Sequence, residues 1–201
     1  MPDTEGVPRI GEPRAPARPA TDDQENRRGA ILSAATRLGL AREIDRIQAQ
    51  EIAADAGVAL RTLYRYYPSK HHVFAAVLDD QVARFRPPPP SGDAADDIAN
   101  LMVAACRNLL RHRHLAHAMI TSTQAVRAQS GPTGYHAMRD VILATAGVQH
   151  PTEDQIRVAR LIEQVTFGVL TWTVGGELNP QQAIADIRLA CRLLLVPVSD
   201  I

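Results

Sequence analysis

The sequence predicts an all-α protein of about nine helices, with a small N-terminal unit and a larger C-terminal one. Apolar residues recur at spacings of three and four along most of the chain, and the two-residue alternation of half-buried strands is scarce. Aromatics make up only 4% of the residues while Ala and Leu are plentiful, a composition that favours helix over sheet. Pro68, the run Pro87 to Pro90 and Gly131-Pro132 fall between the periodic stretches. At 201 residues the chain is long enough to bury well over half of its unfolded surface.

Residues 1–21 are rich in Pro, Arg, Ala and Gly and nearly free of large apolar side chains, so they are expected to form a disordered tail. A first helix follows from near Asp23 to Ala41, with Ile31, Ala34, Ala35 and Leu38 on one face. A second covers Ala49 to Ala56 and stops at Gly57, a residue suited to a left-handed turn. The third covers Leu60 to Tyr67. Pro68 ends it, and Ser69 is placed to cap a fourth helix carrying Phe74, Val77, Leu78, Val82 and Phe85 as one stripe. The run Pro87 to Pro90 lacks amide donors and forces an extended backbone. It is the expected boundary between an N-terminal unit over 22–86 and a C-terminal unit over 91–201.

Five helices are expected in that second unit. The first carries Ile98, Leu101, Met102, Ala105 and Leu109, and the next spans Leu115 to Arg127 before a Gly131-Pro132 turn. Another carries Tyr135, Met138, Val141, Ile142 and Thr145. Thr152 with Gln155 forms a capping-box start for a long helix reaching Gly175, and Pro180 opens the last.

The densest signal lies between Glu51 and Lys70. Two short helices broken at Gly57, with a third opening after Pro68-Ser69, have the form of a helix-turn-helix, whose second helix enters the DNA major groove. Formal net charge is zero, yet Ala59 to His72 holds Arg61, Arg65 and Lys70 with no acid. A neutral chain with one acid-free cationic surface suits phosphate docking with little long-range steering. Arg61 and Thr62 fall at the start of the third helix, where base edges are read. Tyr64 and Tyr66 are placed to reach phosphates or thymine methyls, and Lys70 to hold a phosphate at the start of the fourth helix. Leu63 and Tyr67 are spaced to face the core.

The string Ile52-Ala53, Ala56-Gly57-Val58 and Thr62-Leu63-Tyr64-Arg65-Tyr66-Tyr67-Pro68-Ser69-Lys70 resembles the TetR family of one-component repressors. The resemblance implies an all-α homodimer with a DNA-binding head and a larger ligand-binding and dimerisation body. It also implies DNA contacts at Thr62, Tyr64, Tyr66 and Lys70, with Arg61 as base reader. Three positions depart from the pattern. Gln48 stands where a Thr commonly caps the second helix, Glu43 where a Gly usually ends the first, and Ala59 where a Ser or Thr precedes the third. They predict weaker caps and an altered first turn, with the recognition surface retained.

In the second half, the run from Thr152 to Arg160 into Thr171-Trp172 is similar to the KstR-like branch of that family, as is Ala59 before Thr62-Leu-Tyr-Arg-Tyr. That similarity implies an effector drawn from lipid or steroid CoA thioesters. Val165 to Val174 is apolar nearly all round, so more than one partner must cover it, and Gly168 permits a close helix. Val165, Val169, Ile184, Ile187, Cys191 and Leu194 are therefore candidates for a four-helix dimer interface; the same pattern also fits core helices of a monomer. Met102, Met119, Thr123, Phe167, Leu170 and Trp172 are candidates for a ligand pocket, with Gln124 beside Thr123 as a further polar group; Met and Phe equally fill ordinary cores.

Arg111-His-Arg-His-Leu-Ala-His117 offers His114 and His117 on one helix face, but neighbouring arginines disfavour a metal cation and no Cys or acid completes a set. A basic patch meeting an anion is the better reading, and no metal or cofactor is expected. There is no P-loop, nucleophile elbow or His-Glu-x-x-His helix, so an enzyme is not expected. Two distant cysteines in apolar patterns and the lack of any membrane-spanning apolar run predict a cytoplasmic protein. The expected function is a ligand-responsive regulator that binds a palindromic DNA operator as a homodimer and is released by a small hydrophobic effector. The alternative is an all-α ligand-binding or interaction module that no longer binds DNA.

Overall fold

A computed structural model describes residues 21–130 and 137–195. Among them are nine α-helices and no strand: α1 (Asp22–Ala41), α2 (Ala49–Asp55), α3 (Leu60–Tyr66), α4 (Lys70–Arg84), α5 (Ala94–Leu110), α6 (Arg113–Ser130), α7 (Ala137–Thr145), α8 (Glu153–Gly175) and α9 (Pro180–Leu195). The expected N-terminal tail, save Thr21, the Gly131-Pro132 turn and Tyr135 lie outside the described residues.

Local chemistry accounts for most helix ends. Thr21, Ser69 and Asp93 each accept the amide of the residue three positions on, capping α1, α4 and α5. Thr152 and Gln155 form the reciprocal pair expected at the start of α8, at 3.2 and 2.9 Å. Gly57 and Gly176 close α2 and α8 with φ of 68° and 89°, the left-handed region where a Cβ is strained.

The three departures near the N-terminus resolve differently. Glu43 is extended (φ −65°) and leads into a single 3₁₀ turn, Ile44–Arg46, so no left-handed glycine is required after α1. The turn is pinned by Ile44 and Ile47, both buried. At Gln48 the side chain is replaced as a cap by Glu51, whose carboxylate accepts the Gln48 amide at 2.8 Å and the Arg42 guanidinium at 2.7 Å. These bonds hold the Glu51 carboxyl below its ordinary range, the backbone amide contributing most. Ala59 leaves α3 without a side-chain cap.

The N-terminal core gathers Ile31, Ala34, Ala35, Ile47, Ile52, Leu63 and Phe74, all fully buried. Although the prolines separate the two units in sequence, α4 lies along α6 in the most extensive helix pair of the molecule, and α1 also rests on α6. Gly39 shows how close that approach is. A Cβ there would stand 2.9 Å from both the Leu115 Cδ1 and the Phe74 Cε1 atoms, which are themselves buried. In the second unit α9 packs on α5 and α8, with α7 and α6 on α8.

Two glycines of α1 should therefore respond oppositely to substitution. Gly39→Val should lower unfolding free energy by about 2 kcal/mol through overpacking. Gly29→Ala, where a Cβ meets nothing within 4 Å, should raise it by up to about 1 kcal/mol through helix propensity. Urea unfolding of the two variants measures both.

Candidate functional site

Helix α3 presents a narrow outward face. Arg61, Tyr64 and Arg65 are exposed, Tyr64 by 46%, and Thr62 is half-buried at the edge. Leu63 and Tyr66, three apart, turn inward together. Tyr66 is only 3% exposed, so the sequence expectation that it reaches DNA is corrected: its ring is part of the core, and its hydroxyl finds no hydrogen-bond partner among the described residues. Arg65, which the sequence placed in the cationic surface without a contact of its own, stands on the outward face with its guanidinium 5.3 Å from the Tyr66 centroid. Its spacing of four from Arg61 was the available signal. Tyr67 is buried as expected, and burial pushes its phenol up to about 12.

Lys70 is also placed otherwise than its charge suggested. Its Nζ donates to the carbonyls of Ile44 and Ile47 at 2.9 and 3.0 Å, tying the 3₁₀ turn to the start of α4. Two of its three donors are thereby directed inward, so a phosphate would share the ammonium with two carbonyls. The carboxylates of α2 are engaged sideways, Glu51 with Arg42 and Asp55 with Arg37 at 2.9 Å. The α3 face thus carries two guanidinium groups and no acid.

Next to Lys70, the His71 ring nitrogen meets the Ser122 hydroxyl at 3.1 Å, joining α4 to α6. Burial, then the neighbouring Lys70, lowers the His71 pKa. Further along α4 a cavity of about 100 Å³ opens between α4, α5, α6, α7 and α8. Of the expected pocket residues, Met102, Thr123, Phe167 and Leu170 line it. Met119 is 1% exposed in the core and Trp172 is 56% exposed on the surface, so neither belongs to the wall. Thr123 turns its hydroxyl to the Met119 carbonyl at 2.9 Å, satisfying it within α6. Gln124 bonds the Thr171 hydroxyl at 3.2 Å instead of entering the cavity.

The wall also contains charge that the helical stripes concealed. Asp79, Glu163 and Arg127 all border the cavity. Arg127 lies 3.9 Å from Glu163 and stacks 4.9 Å from the Phe167 centroid. Burial pushes the Asp79 carboxyl up to about 6; Arg127 and Arg28 oppose the shift, and Glu163 adds to it. The signal for Asp79 was an acid set directly beside the apolar stripe of α4.

The expected dimer residues divide between two environments. Ile187 and Cys191 are buried at 0% and 1% within the chain, on the inward stripe of α9 that Ala183 shares. Their proposed role between subunits is therefore corrected. Val169, Ile184 and Leu194 are half-buried, while Val165 is 37% exposed. Val165 belongs with Leu161, Gly168 and Trp172 to a stripe on α8 that none of the described residues covers; a Cβ on Gly168 would meet no described atom within 4 Å. Leu189 and Leu193 form a matching outward pair on α9. Elsewhere, Arg111, His112, Arg113 and His114 are exposed at the α5–α6 corner, and no group of three metal-binding side chains forms among the described residues. No described helix is long and apolar enough to cross a membrane.

Two substitutions separate these placements from the sequence reading. Tyr66→Phe removes a buried hydroxyl without a partner, so stability should be unchanged or higher by up to about 1 kcal/mol. DNA affinity, read by gel shift, should stay within about twofold, because the hydroxyl is not at the surface. At Asp79 the raised carboxyl means that the folded chain binds a proton more tightly than the unfolded chain between about pH 4 and 6. The ionised group therefore opposes folding above about pH 6, and this penalty fades as pH falls through that window. Asp79→Asn should add on the order of 2 kcal/mol near pH 7.5 and nothing near pH 4, as thermal unfolding across pH would show.

Similarity to known proteins agrees with both halves of this arrangement. The family model described as bacterial regulatory proteins, tetR family, matches residues 31–77, and that of the tetracyclin repressor-like C-terminal domain matches residues 92–194. The chain is 29% identical to the HTH-type transcriptional repressor KstR of Rhodococcus jostii over 88% of its own length and 86% of that protein. It is 26% identical to KstR of Mycobacterium tuberculosis, over 87% and 83% respectively. A solved TetR transcriptional regulator from Rhodococcus sp. RHA1 superposes with a TM-score of 0.80 at 41% identity, covering 89% of this chain and all of that one. Thermus thermophilus FadR, solved with lauroyl-CoA, shares the fold at a TM-score of 0.58 and 20% identity, over 84% of this chain and 93% of FadR. With head and body matched on either side of the proline run, and a solved regulator matched along its whole length, the chain belongs to the TetR family of transcriptional regulators.

Proposed function

We propose that the protein is a dimeric repressor that reads a palindromic operator through α3 and releases it when an apolar effector occupies the cavity beside α4. The observation that carries this reading is the double duty of α4. Its first turn flanks the recognition helix and holds the 3₁₀ turn through Lys70, while residues further along it, among them Leu78 and Val82, wall the cavity. An effector that displaced α4 against α6 would tilt the head. Two heads must meet successive major grooves roughly 34 Å apart, so a small tilt weakens both contacts together. The KstR relatives are repressors by name, and a fold neighbour holds lauroyl-CoA, which supports repression and an effector of apolar acyl character.

Within the head, Arg61, Thr62, Tyr64 and Arg65 are the proposed DNA-facing set. The alternative module without DNA binding is not favoured, because the outward face of α3 keeps both arginines free of any acid on that helix. Pairing of two chains is assigned to the exposed stripe Leu161, Val165, Gly168 and Trp172 with Leu189 and Leu193, which would otherwise leave large apolar side chains in water.

Arg61→Ala and Tyr64→Ala should each weaken binding to the DNA upstream of the protein's own coding region by about 1–3 kcal/mol, measured by gel shift at fixed salt. Wild-type affinity in both variants would remove α3 as the reader. Trp172→Glu should shift the protein from dimer to monomer in sedimentation and lower operator affinity at least tenfold. Because Trp172 is the only tryptophan, the emission of the wild-type protein should also shift to the red on dilution into the monomer.

A further inference from the structure

We propose that the Thr166 hydroxyl is the polar recognition point of the cavity beside α4, selecting an apolar ligand whose buried end carries an uncharged oxygen acceptor such as a ketone. The inference rests on the reading of this cavity as the effector site. Its basis is a hydroxyl that the fold leaves unused. Thr121, Thr123, Thr145, Thr171 and Thr173 each donate to the carbonyl four residues back, the ordinary bond of a threonine inside a helix. Thr166 on α8 departs from them, and its hydroxyl has no hydrogen-bond partner among the described residues. The residue is only 6% exposed and lines the cavity. Its oxygen is not sealed by packing as the hydroxyls of Tyr66 and Tyr67 are. The open side of the group is therefore the cavity itself.

The other polar groups of the wall are placed differently. Thr123 is satisfied within α6 at 2.9 Å, and Asp79 and Glu163 both have partners. Arg127 is held 3.9 Å from Glu163 and 4.9 Å from the Phe167 centroid. Gln81 is half-buried and Asn108 exposed, so these two amides keep access to water at the rim. A hydrocarbon entering the cavity would strip water from the Thr166 hydroxyl without replacing its hydrogen bond. A carboxylate would give up far more hydration than one neutral donor restores, whereas a ketone oxygen accepts the hydroxyl proton and has less hydration to lose. Size adds a second restriction. The cavity of about 100 Å³ is smaller than the roughly 150 Å³ that admits a benzene ring, so it takes one ring-sized end of a ligand while α4 stays in place. The same space is walled by Leu78 and Val82 of α4, so a ligand anchored on α8 bears on the helix that carries the head.

Acetophenone and α-methylstyrene share a shape and differ in a carbonyl oxygen replaced by a methylene, so their affinities by ligand-detected NMR titration isolate the hydrogen bond. Thr166→Val keeps the outline of the side chain and removes the hydroxyl. It should lower the ratio of acetophenone to α-methylstyrene affinity by about fivefold, while Thr166→Ser should hold that ratio within about twofold of wild type. Without ligand, Thr166→Val should melt no lower than wild type, because the folded chain loses no hydrogen bond. A melting temperature several degrees lower, with the affinity ratio unchanged, would assign the hydroxyl to the fold and overturn the inference. Ala105→Leu, which fills the cavity from α5, should weaken both probes. An unchanged ratio in Thr166→Val, with both probes weakened in Ala105→Leu, would overturn the role of Thr166 while leaving the cavity as a ligand site. No binding by either probe, or binding that Ala105→Leu leaves intact, would overturn the effector-site reading and the inference with it.

Discussion

Helix α4 is gripped from two sides, and the placement of nearly everything else follows from that contact. On one side Lys70 and Phe74 hold it to the three-helix head; on the other it lies along α6, with His71 bonded to Ser122. Gly39 allows this by leaving out a side chain where α1, Phe74 and Leu115 converge. Packed interiors are close to incompressible, so a displacement of α4 is transmitted to its neighbours as a body rather than absorbed locally. A cavity against this helix is consequently well placed to influence the orientation of the head.

The head illustrates how burial reassigns residues that look alike in sequence. Tyr64, Tyr66 and Tyr67 are equally aromatic and amphipathic, yet only Tyr64 faces water. A seven-residue helix that buries Leu63 must bury the position three further on, and this takes Tyr66 inward. Lys70 follows from the first turn. Once Glu43 and Ile44 build a 3₁₀ turn instead of a glycine corner, two carbonyls point at the start of α4, and the nearest ammonium satisfies them. The cationic surface is thereby reduced to the arginines of α3, and Arg65 gains the importance that Lys70 loses.

In the body the same logic works on apolar residues. Helix α9 carries two apolar stripes, one through Ala183, Ile187 and Cys191 and one through Leu189 and Leu193; among the described residues only the first is packed inside. On α8 the inward residues Ile162, Thr166 and Leu170 alternate with an uncovered set ending at Trp172. Hydrophobicity alone ranks these stripes equally, because burial inside a chain and burial between two chains remove the same kind of surface from water.

Local rules settled the helices themselves. Capping pairs such as Thr152 with Gln155, glycine stops at 57 and 176, and three- and four-residue apolar spacing act within a turn or two, so they are written in the chain. The helix-turn-helix was legible for that reason, and with it the DNA-facing role of Arg61, Thr62 and Tyr64 as an expectation. What the chain could not specify is which stripe of a two-faced helix turns inward, where Lys70 sends its donors, and that Asp79, Arg127 and Glu163 meet at one cavity. Those residues lie 36 to 84 positions apart on three helices. Their proximity depends on how α4, α6 and α8 pack, a long-range outcome that no local spacing encodes.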